Sequence, residues 1–212
     1  MKSKPSSPHS HPTPSKKQVI AEQLRETGRL HAELPQQQID RIAELGALMA
    51  EAINAGRKIL WFGNGGSATQ SQHMAAEFVG RFRAERRALP SIALADNAAT
   101  LTAIGNDYAF DRIFSRQLEG LAQPGDVAVG LSTSGTSRNV LEALRVARSL
   151  GVRPAGLTGG SGGRMPELCE VCICVPSMMT ARIQEVHLTI GHILCGLVED
   201  ALASPRRPSA SS

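Results

Sequence analysis

The length, composition and charge of the chain exclude several classes of protein. Its 212 residues are 42% hydrophobic and 20% charged, which is typical of one globular domain with a sizeable core. No run approaches the roughly eighteen apolar residues that a membrane helix needs, so no membrane partner is predicted. The net charge of +4 comes from the chain ends, because residues 18–204 sum to about −2. The body therefore shows no polyanion surface, and no nucleic-acid partner is predicted.

Two polar tails are predicted to flank a single domain. Residues 1–17 are rich in Ser, Pro, His and Lys, and together with residues 204–212 they are predicted to be disordered, which leaves residues 18–203 as the domain. The first tail lacks the apolar segment of a secretory signal, although a basic targeting segment is the less favoured alternative. These features predict a cytoplasmic protein.

The four cysteines fit the same compartment. Cys169 and Cys172 form a CxxC pair, but no second pair or nearby histidine completes a zinc-ribbon spacing. Cys172 and Cys174 alternate within a predicted strand. We therefore expect small buried thiols in a reducing setting.

The predicted elements, taken in chain order, begin with two helices and then alternate between strands and helices. The predicted helices cover residues 18–33, 36–56, 67–83, 100–106, 111–121, 138–150 and 181–203, and the strands cover 58–62, 91–94, 127–131, 153–157 and 170–175. This alternation predicts an α/β fold with βαβ units, in which helices cover both faces of a parallel sheet. The first two helices have no partner in such a unit, so they either cap the sheet or pack against another subunit.

A glycine-rich turn follows the first predicted strand, in the sequence GNGGS at 63–67. Its glycines allow a tight turn and a close approach of the backbone to a ligand. Ser67 stands where a helix N-cap is expected, and a helix start of this kind favours an anion.

A second polar loop, Ser132–Ser137, follows the third predicted strand and supplies five hydroxyls at the start of another helix. It is neither a Walker loop nor a GxGxxG turn, so nucleotide binding is not predicted. An ordinary Ser/Thr-rich loop is the alternative. Because residues 63–67, 132–137 and 158–163 all follow strands, they fall on one edge of the sheet, and together they favour a sugar-phosphate site.

A set of metal-ligand side chains lies on two predicted helices. His73 and Glu77 share one face of the third helix, while Gln184, His187 and His192 interrupt an otherwise apolar last helix. A solvated helix face is the alternative for the first pair. Together they offer N and O ligands for a zinc-like ion. Gln184 and His192 are about 12 Å apart along a regular helix, so binding one ion requires extended side chains, an irregular helix start or another subunit.

Four motifs, GNGGS–x5–HxxxE–x3–R, TAIGNDY, STSGTS and RIQEVH–x4–H, resemble those of the bacterial phosphoheptose isomerases, which are sugar-isomerase (SIS) domain proteins. The resemblance covers about residues 36–203. It implies a three-layer, flavodoxin-like parallel-sheet sandwich and a zinc-dependent homotetramer with active sites between subunits. The implied metal ligands are His73, Glu77, Gln184 and His192. The implied substrate-binding residues are Asn64, Gly65, Gly66, Ser67, Arg81, Asn106, Asp107, Ser132, Thr133, Ser134, Ser137 and Gln184.

The implied reaction converts sedoheptulose 7-phosphate to the glycero-manno-heptose 7-phosphate through an enediolate, as the first step of nucleotide-activated heptose biosynthesis. In our hypothesis, Glu77 transfers the carbon-bound proton and His192 transfers the proton of the neighbouring oxygen. Thr69, Gln70 and Ala181 depart from residues frequent in the family. The alternatives are a non-catalytic tetrameric adaptor of the same fold that binds the replication initiator, a sugar-phosphate-sensing domain, and an isomerase of another ketose phosphate.

Overall fold

The computed structural model describes residues 14–203, and a parallel sheet forms the centre of this part of the chain. The strands are β1 (Ile59–Gly63), β2 (Ser91–Ala93), β3 (Val127–Ser132), β4 (Arg153–Gly159) and β5 (Val171–Val175). Their order across the sheet is β2-β1-β3-β4-β5, and every neighbouring pair is parallel. This is the flavodoxin-like order, so the predicted fold class is confirmed.

Helices cover both faces of the sheet and complete the predicted three layers. They are α1 (Lys16–Ala32), α2 (Gln36–Asn54), α3 (Gly66–Val79), α4 (Ala98–Asp107), α5 (Ser115–Leu121), α6 (Arg138–Ser149) and α7 (Thr180–Ala203). One core lies between the sheet and α2, α3 and α7. A second core lies between the opposite face and α4, α5 and α6. Strands β1 and β3 are buried throughout because both of their faces are covered.

The two N-terminal helices belong to this chain's own sandwich. Helix α2 packs against α7 and β5, and the side-chain oxygen of Gln38 accepts a hydrogen bond of 2.7 Å from the backbone N–H of Cys174 on the edge strand. Helix α1 lies against α7, where Thr27 donates to Glu185 at 2.8 Å. The sequence left open whether these helices cap the sheet or pack against another subunit. Helix α2 caps the sheet.

Several helix boundaries differ from the predicted ones. Helix α1 begins at Lys16, two residues before the predicted start, because Ser15 and Gln18 form a capping box. The predicted tail residues 1–13 and 204–212 lie outside the described residues. Helix α3 ends at Val79 instead of residue 83, and the predicted helix 111–121 divides into a 3₁₀ turn at Phe110–Arg112 and α5.

Helix α7 is long and apolar enough to cross a membrane on length and composition alone. Half of its most apolar 18-residue stretch is buried inside the protein, and the helix packs against α2, α3 and α1. It is therefore a helix of the core, and its apolar composition is explained by the neighbours on several sides.

Candidate functional site

The candidate site lies at the carboxyl ends of β1 and β3, where the strand order reverses. Ligands bind at this position in open parallel sheets. Asn64 follows β1 and Asn139 lies in the first turn of α6, and their carboxamides exchange hydrogen bonds of 2.9 and 2.8 Å. The pair holds the turn after β1 against the loop after β3. The carboxamide of Asn64, predicted to bind substrate, is thus engaged within the protein.

The glycine turn starts helix α3 differently from the prediction. Gly65 is the N-cap residue, with φ 55° and ψ −122°, and the helix begins at Gly66. Because this glycine conformation turns the chain early, the prediction of Ser67 as N-cap is wrong. Ser67 lies inside the first turn, is 2% exposed, and its carbonyl oxygen accepts a 2.9 Å hydrogen bond from the hydroxyl of Ser71. The exposed Gly65 and Gly66 leave the backbone at the helix start open to a ligand.

The serine loop after β3 forms a cluster of hydroxyls. The Oγ of Ser132 lies 3.0 Å from that of Ser137 and 3.5 Å from that of Ser134, which also accepts a 3.0 Å hydrogen bond from the hydroxyl of Thr136. Ser137 is the N-cap residue of α6, but its hydroxyl does not cap the helix. These hydroxyls therefore bond to one another, and those of Ser134 and Thr136 also line the adjacent cavity, where they can meet the oxygens of a phosphate.

That cavity has a volume of about 410 Å³ and is bounded by the loops after β3 and β4 and by the start of α7. The lining residues include Thr133, Ser134, Thr136, Ser161, Thr180 and Ile183. The two loops touch at their backbones, since a Cβ on Gly135, whose φ is +65°, would overlap the carbonyl of Gly162. The predicted convergence of residues 132–137 and 158–163 on one edge is thus confirmed by contact.

Three of the predicted metal ligands come together on α3 and α7. The Nε2 atoms of His73 and His192 lie 3.0 Å apart, and the Nε2 of His73 lies 3.3 Å from a carboxylate oxygen of Glu77. One ligand atom from each residue falls within 4.8 Å of the other two. In residues 14–203 this is the only group of three or more His, Cys, Asp or Glu residues that converges in this way. Two imidazole nitrogens and a carboxylate are a typical zinc ligand set.

Helices α3 and α7 run side by side in the same direction, which explains how the cluster forms. The carboxamide of Gln184 lies against Gly66 at the start of α3, and Gly191 lies against Met74. A Cβ on Gly191 would overlap the Met74 sulfur, so this glycine permits the close approach that brings His192 to His73. Because α7 is regular from Thr180, Gln184 stays about two turns away from the cluster along the helix.

Two further groups shape the surroundings of the cluster. The ring of Phe82 stacks on the imidazole of His192, with centroids 5.5 Å apart and planes 15° apart. Burial, followed by the charges of Glu77 and Glu199, raises the pKa of the Cys195 thiol to about 12. The thiol of Cys195 therefore stays protonated near pH 7.

His187 is separate from the cluster and is buried beside β4. Its Nε2 lies 3.1 Å from the backbone oxygen of Thr158 and donates to it. Within the described residues its Nδ1 has no hydrogen-bond partner. Burial, opposed by the bond to Thr158, lowers the pKa of His187 to about 4, so the ring is neutral near pH 7.

The other predicted site residues lie at the protein surface. Arg81 follows the end of α3, and its Nε lies 3.7 Å from a carboxylate oxygen of the exposed Glu85. Asn106 and Asp107 end helix α4 and bond to each other at 2.8 Å. The sequence reasoning missed Asn139 and Phe82, since a single amide or aromatic residue carries no pattern before the loops are placed in space.

The chain as a whole is similar to one group of known proteins. A family profile described as the SIS domain matches residues 23–159. A phosphoheptose isomerase from Geotalea daltonii is 52% identical over 188 residues, which cover 89% of this chain and 98% of that protein. One from Rhodospirillum rubrum is 55% identical over 163 residues, which cover 77% of this chain and 87% of that protein.

Solved structures give the same result. The phosphoheptose isomerase from Neisseria gonorrhoeae is similar with a TM-score of 0.82 and 37% identity, over 88% of this chain and 100% of that one. The enzyme from Francisella tularensis has a TM-score of 0.84 and 33% identity, over 88% and 99% of the two chains.

Proposed function

The chain belongs to the phosphoheptose isomerase family of SIS-domain proteins, which are aldose–ketose isomerases, and we propose that it converts sedoheptulose 7-phosphate to D-glycero-D-manno-heptose 7-phosphate. The observation that supports this proposal most strongly is the His73–Glu77–His192 cluster on α3 and α7. The same two helices begin beside the glycine turn and the hydroxyl-lined cavity. A proton-transfer centre and an anchor for phosphate are thus arranged along one pair of helices.

The cluster residues fit a zinc ion. Two imidazole nitrogens 3.0 Å apart with a carboxylate beside them form a set that zinc accepts, and the exposed His73 leaves a path for entry. We propose that His73, Glu77 and His192 hold the ion and that Gln184 is the fourth ligand. Because α7 is regular, Gln184 reaches the ion only through extended side chains or from another subunit. When bound, zinc would supply Lewis-acid polarisation of the substrate carbonyl.

The chain's own side chains carry the proton transfers in this proposal. Glu77 takes the carbon-bound proton between C1 and C2, and His192 exchanges the proton of the neighbouring oxygen. Both groups lie on rigid helices, so their separation is fixed before substrate binds. A carboxylate and an imidazole so placed let the two proton transfers occur on adjacent atoms.

The serine loop is proposed to hold the terminal phosphate of the sugar. Ser132, Ser134 and Ser137 supply hydroxyls, and Thr133 lines the cavity together with Ser134. We assign contacts with the sugar to the start of α3, to Asn106 and Asp107, and to Arg81. Phosphate held at one end of an open-chain sugar sets how far along α3 and α7 the reacting carbons lie.

We further propose a homotetramer with active sites between subunits, located in the cytoplasm. The large apolar side chains of Ile193 and Leu197 are exposed beside His192, as expected of a face that meets a second subunit. The four cysteines are free, which is usual in a reducing compartment. An adaptor function gives no reason for the convergence of His73, Glu77 and His192.

The test is to incubate the zinc-loaded protein with sedoheptulose 7-phosphate and to follow the aldoheptose phosphate by NMR. We expect conversion that stops when the metal is removed with a chelator and returns when zinc is added. Fructose 6-phosphate in a parallel reaction tests the alternative of another ketose phosphate. No conversion of either sugar with any divalent metal would reject the proposal in favour of the adaptor.

A further inference from the structure

The turn that follows helix α3, residues 80–87, is tied to the end of that helix by the guanidinium of Arg86, one of its own residues. The last turn of a helix leaves carbonyl oxygens without partners inside the helix. Arg86 donates to three such oxygens, those of Glu77 at 2.8 Å, Phe78 at 2.9 Å and Gly80 at 3.3 Å. A cation here also interacts favourably with the helix dipole. Arg86 therefore fixes the end of the helix that carries two members of the cluster.

Glu199 of α7 fixes the same turn from the other side. This carboxylate is 4% exposed, and it accepts hydrogen bonds from the backbone N–H groups of Phe82, Arg83 and Ala84 at 3.0–3.1 Å and from the Nε of Arg86 at 2.9 Å. Although burial favours the neutral acid, these four donors hold the pKa of Glu199 below its ordinary value. A buried charge held by several donors is costly to disturb, because each donor that is lost leaves it less well compensated.

The turn held by Glu199 and Arg86 carries the aromatic ring that covers the cluster. Phe82 stacks on His192, whose Nε2 lies 3.0 Å from that of His73. Glu199 follows His192 by seven residues, about two helical turns, so both side chains lie on the same face of α7. One helix face thus presents a cluster residue and the anchor of the ring that packs on it.

We propose that Glu199 and Arg86 are positioning residues that orient the His192 imidazole toward His73 and Glu77. Their side chains reach the cluster through the Phe82 ring and the backbone at the end of α3. Without the ion pair, the turn is free to leave the helices and the imidazole loses the ring that fixes its plane. The metal and kinetic consequences rest on the proposed function, whereas the orientation of the imidazole does not.

The first test measures zinc affinity, by competition with a chromophoric chelator, and turnover in Glu199→Gln. We expect zinc affinity to weaken by about 10–100-fold, which is typical for loss of a group that orients a metal ligand. We expect kcat to fall by a similar factor with KM changed less than about threefold. The matched control is Glu51→Gln, because Glu51 also pairs with an arginine, Arg153, but at an exposed position on α2. Wild-type affinity and turnover in a folded Glu199→Gln protein would overturn the proposal.

If Glu199→Gln does not fold, a second pair of variants tests the role of the Phe82 ring. Phe82→Leu removes the stacked ring and leaves the ion pair intact, and Phe82→Tyr keeps the ring. We expect Phe82→Leu to reproduce the loss and Phe82→Tyr to restore the wild-type values. Equal zinc affinity in all three proteins would contradict the role given to the ring.

A readout that needs neither zinc nor turnover separates this proposal from the proposed function. In the metal-free protein, the imidazole ¹⁵N–¹H signals of His192 should shift and broaden in Phe82→Leu and Glu199→Gln, and stay unchanged in Glu51→Gln. If no sugar phosphate is converted and no zinc binds, the proposed function fails. These spectra still test whether Phe82 and Glu199 orient the His192 imidazole. Unchanged His192 signals in both variants would reject the positioning role of Glu199 and Arg86.

Discussion

His187 shows how the environment of one side chain sets its chemistry. It is one of two histidines in the apolar part of α7. The residues alone offered both as metal ligands, whereas the family resemblance implied only His192. His192 reaches His73, whereas His187 points to β4 and bonds the carbonyl oxygen of Thr158. Burial lowers the pKa of His187 to about 4, which makes it a neutral core residue.

This pKa predicts a pH dependence of stability. The unfolded chain takes up a proton below about pH 6.5, the ordinary value, while the native His187 does so only near pH 4. The free energy of unfolding should therefore fall as pH drops through this window, with about 2 kcal/mol lost between pH 7.5 and pH 5 because of this residue. Urea unfolding of metal-free His187→Gln should show a pH dependence smaller by that amount. An equal pH dependence in the wild-type protein and in His187→Gln would contradict the assignment.

Asn139 and Asn64 form the second residue-scale feature, and it predicts a loss of stability. Asn139 is 2% exposed and exchanges two hydrogen bonds with Asn64, so Asn64→Ala leaves a buried amide without that partner. We expect the free energy of unfolding to fall by about 1–3 kcal/mol, the usual cost of such a group. The control Asn106→Ala removes an exposed amide and should change it by less than about 0.5 kcal/mol. If denaturant titrations give the same small loss of unfolding free energy for both variants, the Asn64–Asn139 pair does not stabilise the fold.

At the scale of elements, the site depends on how closely loops and helices approach one another. Gly191 lets α3 and α7 come close enough for their histidines to meet, and Gly135 lets the serine loop touch the loop after β4. Gly191 does not stand out in sequence, and the STSGTS motif that contains Gly135 does not show which loop it touches, because a close approach in space leaves no local pattern. The helices and strands themselves were predictable, since each has a clear periodicity or apolar run.

The loop contact at Gly135 predicts a defect in phosphate binding. Gly135→Ala places a Cβ on the carbonyl of Gly162 and requires a positive φ, so the two loops that line the 410 Å³ cavity must separate. We expect affinity for the sugar phosphate, measured by isothermal titration calorimetry with inactive Glu77→Gln protein, to fall at least about tenfold. Gly120→Ala, in a helix with open space around it, should leave the affinity unchanged. A Gly135→Ala protein with wild-type affinity would exclude this cavity as the phosphate site.

At the scale of the whole molecule, the cluster opens onto an apolar surface. Phe82, Ile193 and Leu197 line a cavity of about 440 Å³ beside His192. We expect light scattering to give a mass about four times the 22.5 kDa of the chain. Ile193→Asp should dissociate the assembly with unchanged helical content and loss of turnover, whereas Leu121→Asp, an equally exposed change on α5, should not. A wild-type monomer with full activity would contradict subunit sharing of the site.

The sequence predicted the fold and most of the cluster, and it failed where side chains from distant segments meet. His73 and Glu77 were predictable as a pair because they share one helix face, whereas the choice of His192 came from the family resemblance, and the structure brings the three together. The N-cap at Ser67 was predicted wrongly, since a glycine with positive φ moved the helix start. The Glu199 anchor went unnoticed, because two of its three backbone donors, Phe82 and Arg83, were predicted to lie inside helix α3.

The measurement that tests the central claim most directly is the turnover of sedoheptulose 7-phosphate by Glu77→Gln beside Glu44→Gln. Glu44 lies on α2, where its exposed side chain pairs with Arg41, so the second variant makes the same chemical change away from the site. The account predicts that Glu77→Gln loses about 10²–10⁴-fold in kcat while still binding the sugar phosphate, and that Glu44→Gln keeps wild-type turnover. Wild-type turnover in Glu77→Gln would remove this carboxylate from the reaction and contradict the account.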